Sequence, residues 1–82
     1  MRNTLRQLLI EVRDLKHEYS HRLAELRGFA KKEQDGKSLE DFYLTMVDNF
    51  NDDQVACYID ALREEKQEII SDMADATLWA KA

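Results

Sequence analysis

The sequence predicts an all-α fold: two long amphipathic helices joined through one short helix, in a helical bundle or coiled-coil-like arrangement. Three observations carry this. Proline is absent and glycine occurs only at Gly28 and Gly36, so the usual punctuation of hairpins and strands is missing. Apolar residues recur at alternating steps of three and four over two long stretches. Polar turn chemistry separates those stretches from a third, shorter one. With 82 residues the chain holds one hydrophobic core, and residues 1–82 are read as a single helical domain.

Leu5, Leu8, Val12, Leu15, Tyr19, Leu26 and Phe29 form the first seam, widened by Leu9 and Leu23 and interrupted at Arg22. This heptad spacing predicts a helix over about 3–33. Gly36 suits its left-handed stop, and Gly28 is a point where it can fray or bend. Ser38 followed by Asp41 reads as a capping box opening a short helix over about 39–50. Leu39, Phe42, Tyr43, Met46, Val47 and Phe50 give that helix a broad apolar face. Asn51 and Gln54 form a second box, with Asp52 and Asp53 at the positive helix end. The last helix, over about 52–79, carries Val55, Ile59, Leu62, Ile69, Met73 and Ala76 on its seam, interrupted at Lys66, with Ile70 and Leu78 alongside. Arg22 and Lys66 are expected to snorkel to the rim.

A short middle helix folded back on the first covers only the C-terminal half of its seam. Two apolar stretches are therefore expected to stay uncovered: Leu5, Leu8, Leu9 and Val12 near the start, and Ile69, Ile70, Met73, Leu78 and Trp79 near the end. Uncovered stretches of this kind mark association surfaces, and a twofold homodimer would cover both at once.

Charge is segregated. Residues 1–37 hold nine Lys/Arg against six Asp/Glu, a net +3, and residues 38–82 hold three against eleven, a net −8. Arg6, Arg13 and Arg27 recur seven apart on the first helix with Lys16 and Lys31 nearby. Acidic residues interrupt that flank and no aromatics interleave with it, so the pattern disfavours nucleic-acid binding. On the last helix Asp60, Glu64, Glu68, Asp72 and Asp75 form a slanting acidic stripe. It is suited to the basic flank of the first helix, to a basic macromolecular partner, or to imitation of nucleic acid.

Residues 17–21, His-Glu-Tyr-Ser-His, match H-E-x-x-H, in which histidines at i and i+4 share one face of a helix and the glutamate can activate metal-bound water. Over these five residues the chain resembles the zincin metallopeptidases. That resemblance implies zinc ligands at His17 and His21, a general base at Glu18, and peptide-bond hydrolysis. A third ligand is needed, and Asp35, Glu40 and Asp41 are the scattered acids on offer. Arg22 and Asp14 depart from the zincin pattern, no substrate-binding strand is predicted, and both histidines occupy outward heptad positions. The leading expectation is therefore non-enzymatic, with no cofactor: a small regulator or inhibitor that presents a helical surface to another protein. Short acidic helical proteins of this kind are common among phage and mobile-element products, and class alone sets that expectation of origin. No membrane span or signal segment is read. The lone Cys57, expected to be a buried inert thiol, fits a reducing cytoplasm.

Overall fold

The computed structural model describes residues 1–26, 28 and 38–81, with side chains of the last helix described through Ala76. Helix α1 spans Arg2–Leu26, α2 spans Leu39–Met46, a 3-10 turn covers Val47–Asn49, and α3 spans Asp52–Lys81. Both capping boxes form. Ser38 Oγ accepts from the Asp41 backbone amide while the Asp41 carboxylate accepts from the Ser38 amide. Asn51 and Gln54 exchange the same pair of bonds at 2.8 and 3.0 Å. Each box satisfies amide donors that a helix start leaves orphaned.

Helix α1 stops earlier than its heptads suggest. Gly28 takes φ +75° and its amide donates to the Glu25 carbonyl at 3.1 Å, the left-handed stop that a residue without a Cβ adopts freely. The expected continuation from 29 to 33 and the proposed stop at Gly36 lie outside the described residues. The short helix is also split: after Met46 the chain tightens into the 3-10 turn and becomes extended at Phe50 (φ −77°, ψ 142°), a common way to finish a helix.

Ion pairs give the topology. Arg2 meets Asp52 at 3.3 Å and Glu11 meets Lys66 at 3.0 Å, so α1 and α3 run parallel. Arg13 meets Asp41 at 2.7 Å and Arg6 meets Asp48, so α2 runs antiparallel between them. Helix α3, with 30 residues and about 45 Å long at 1.5 Å per residue, defines the 46 Å long axis of the molecule. No helix among the described residues is long and apolar enough to cross a membrane.

The core corrects the expectation of two uncovered stretches. Leu5, Leu8, Leu9 and Val12 are buried against Val47, Phe50, Val55, Ile59 and Leu62 within one chain, and Ile69 and Met73 are buried with them. The reason is register. α2 lies beside residues 6–16, not beside the C-terminal half of α1, and α3 returns parallel to α1 and covers its seam from Leu5 to Tyr19, leaving Leu26 48% exposed. Ile70 alone of that set stands out, at 43% exposed, because it falls one position beyond the inward Ile69. The side chains of Leu78 and Trp79 lie outside the described residues.

Candidate interaction surface

On α3 the residues that go inward are Val55, Ile59, Leu62, Ile69, Met73 and Ala76. At 100° per residue this places Asp60, Glu64, Glu68, Asp72 and Asp75 on the opposite side. All five are exposed. Steps of four residues advance the stripe about 6 Å per charge along the axis and rotate it slowly round the helix.

Among the described residues the basic flank of α1 does not meet this stripe; Arg27 and Lys31 lie outside them. Arg2 pairs with Asp52, Arg6 with Asp48, and Arg13 with Asp41. Lys16 reaches both Glu40 and Glu65, the latter at 2.8 Å. Arg22 turns back to Glu18 at 3.1 Å within α1, and Lys66 goes to Glu11 at the rim. Among the described residues none of the five stripe carboxylates is in an ion pair. Attraction between this stripe and the α1 flank in the same chain is thus replaced by pairing of that flank with acids of α2, of the turn after it and of the inner edge of α3.

Those pairs shift proton affinities in the expected directions. Arg13, then Ser38, hold the Asp41 carboxyl below its ordinary value, and Asp41 with Asp14 holds Arg13 above its own. Lys66, then Gln7, hold Glu11 low. Burial pulls the Lys16 ammonium down, but the carboxylates of Glu40 and Glu65 outweigh it and its pKa is raised.

Lys16 and Glu40 are the junction of the fold. Glu40 is 3% exposed, the one charged residue buried among the described residues, and its carboxylate accepts from Lys16 Nζ. Because the same ammonium reaches Glu65, one cation ties α1, α2 and α3 together. The sequence holds the signal for this. Lys16 lies four residues after Val12 and three before Tyr19, hence on the seam, and Glu40 lies seven before the buried Val47.

The H-E-x-x-H stretch lies on the exposed face of α1, beyond the start of α2. His17, Glu18 and His21 are all exposed, and His21 Nε2 sits 3.0 Å from Glu25. Of the acids considered as a third ligand, Glu40 is held by Lys16 and Asp41 by Arg13, while Asp35 lies outside the described residues. Among the described residues no three His, Cys, Asp or Glu side chains are grouped to hold a metal.

Two features depart from the sequence reading. Cys57 is exposed, not buried, because it projects from the outer side of α3 one turn before Asp60. Leu39 and Phe42 are 57% and 54% exposed, because α2 turns Glu40, Tyr43, Leu44 and Val47 inward instead. A shallow groove of about 400 Å³ also runs between α1 and α3, lined by Asn3, Thr4, Gln7, Leu8, Glu11 and Arg63. Set against family models, curated proteins and solved structures, the chain matches none of them.

Proposed function

We propose that this chain is a non-enzymatic helical interaction module, a small regulator or inhibitor that presents the outer face of α3 to a basic macromolecular partner. One observation carries the reading. Five exposed carboxylates on one face have no cation opposite them among the described residues, while Arg2, Arg6, Arg13 and Lys16 of α1 are committed elsewhere. A row of like charges left open raises the local potential, and such potentials steer oppositely charged partners and select among them. Nucleic-acid binding by the α1 flank is disfavoured on the same ground, since Arg6, Arg13 and Lys16 each already hold a carboxylate. A homodimer is not part of this reading, because Leu5, Leu8, Leu9, Val12, Ile69 and Met73, on which it was expected, are buried within the chain. Function in a reducing cytoplasm suits an exposed, lone thiol at Cys57.

The test is a charge reversal, Glu64→Lys with Glu68→Lys and Asp72→Lys, assayed for binding to a Lys/Arg-rich polypeptide and to duplex DNA across a salt series. The wild type should bind the cationic polypeptide with a steep salt dependence, and the variant should lose about tenfold or more. Unchanged binding by the variant, or tighter binding of the wild type to DNA than to the polypeptide, would count against the proposal.

A further inference from the structure

The outward edge of α2 adjoins the acidic face of α3. Leu39 and Phe42 fall at i and i+3 and make one outward apolar edge, which Met46, partly buried against the core, continues one turn further. Leu39 and Phe42 are more than half exposed. Phe42 is the outermost of four aromatic rings that run from the α2–α3 seam to the surface. Its centroid is 6.1 Å from Tyr43, Tyr43 is 5.4 Å from Tyr58, and Tyr58 is 5.0 Å from Phe50. Glu40 and Glu65 share Lys16, which places the start of α2 against α3 at Glu65. One and two turns further along α3 on that flank stand Glu68 and Asp72, both exposed. Because α2 runs from Glu65 back toward Tyr58, these two carboxylates continue the surface beyond the Leu39 end of the apolar edge, and neither is in an ion pair among the described residues.

We infer that this composite surface docks a basic amphipathic helix of a partner protein. The partner's apolar side would seat on Leu39, Phe42 and Met46, and its Lys/Arg would lie along Glu68 and Asp72. The inference rests on the interaction-module reading and specifies the form of the partner. Charge and spacing select this occupant. A partner helix laid along the edge brings apolar residues at i and i+3/i+4 onto Leu39 and Phe42, which stand one turn apart. The carboxylates beyond Leu39 attract cations, whereas a second copy of this chain, with net charge −5, would bring its own acidic face against them.

The experiment uses two helix-forming peptides of about 18 residues with the same Leu/Lys composition, one with leucines on a single face and one scrambled. Binding to the full chain is read by fluorescence anisotropy, and the chain alone is sedimented. The amphipathic peptide should bind about tenfold or more tightly than the scrambled one. Phe42→Ala and Leu39→Ser, each checked for retained helicity, should erase that advantage, and Glu68→Lys with Asp72→Lys should weaken both peptides. Equal affinity of the wild type for the two peptides would overturn the docking inference and leave the acidic-face reading standing. If neither peptide binds, both fall. A wild type that sediments as a dimer and a Phe42→Ala variant that sediments as a monomer would make the occupant a second copy and overturn the inference.

Discussion

Leu9→Ala separates a core that belongs to one chain from one that belongs to an assembly. Leu9 is 1% exposed, and its buried neighbours come from α1, the turn after α2, and α3. Truncating a leucine so enclosed costs about 2–5 kcal/mol, the upper part applying where the surroundings cannot collapse into the space. For a chain of 82 residues, a stability of about 0.05–0.15 kcal/mol per residue gives a total of about 4–12 kcal/mol. The variant thus loses a large share of its stability. At about 4–8 °C per kcal/mol for a domain this small, the melting temperature should fall by about 8–40 °C. Circular dichroism at two protein concentrations about a hundredfold apart reads both the size of the loss and its molecularity. With the core inside one chain, wild type and variant each melt at a temperature independent of concentration. A melting point that falls on dilution, or a Leu9→Ala protein that melts like the wild type, would refute the packing described.

Further outcomes follow from particular contacts. Glu40→Gln leaves Lys16 half-buried with only Glu65, and should cost about 1–3 kcal/mol by urea denaturation. Lys16→Met combined with Glu40→Leu should be near neutral or stabilising, since the buried carboxylate and the half-buried ammonium that holds it leave together. In acid, the depressed carboxyls of Asp41 and Glu11 contribute stability that is complete above their ordinary values of 3.8 and 4.5 and is lost as pH falls through their lower folded values. Asp41→Asn should flatten that fall in the urea midpoint. In base, the raised Lys16 contributes stability that is complete below its ordinary 10.5 and is lost as pH rises through its higher folded value, a loss Lys16→Met removes. Cys57 should react with a thiol reagent in the native protein at a rate near that of the unfolded chain, and strong native protection would contradict its exposure. His17→Ala, Glu18→Gln and chelation should each leave polypeptide binding unchanged. Zinc-dependent hydrolysis abolished by these variants would restore the metallopeptidase reading.

Residue patterns that act locally were legible in the sequence. The Ser38–Asp41 and Asn51–Gln54 boxes set helix starts through bonds spanning three residues, and the seam of α3 from Val55 to Ala76 carries its own phase. What depended on how helices meet was harder to read. The apolar face of α2 counted Leu39 and Phe42 as inward because it ranked residues by hydropathy. The fold instead rotates the helix so that Glu40 reaches Lys16, a choice set by a partner on another helix. The expectation of an uncovered seam assumed that α2 lies beside the C-terminal half of α1, whereas the interhelical pairs Arg13–Asp41 and Arg6–Asp48 put it beside the N-terminal half. The acidic stripe was visible as spacing, but its lack of neutralising partners became visible only once the cations of α1 were seen to be engaged.

The most direct test of the central claim, that the outer face of α3 is the working surface, is a backbone amide NMR titration of the chain with a Lys/Arg-rich polypeptide. The account predicts shifts concentrated on α3 between Asp60 and Asp75 and extending to Leu39 and Phe42, and lost in the Glu64→Lys, Glu68→Lys, Asp72→Lys variant. Shifts concentrated instead on the α1 groove around Asn3, Gln7 and Glu11, or no shifts at all, would contradict it.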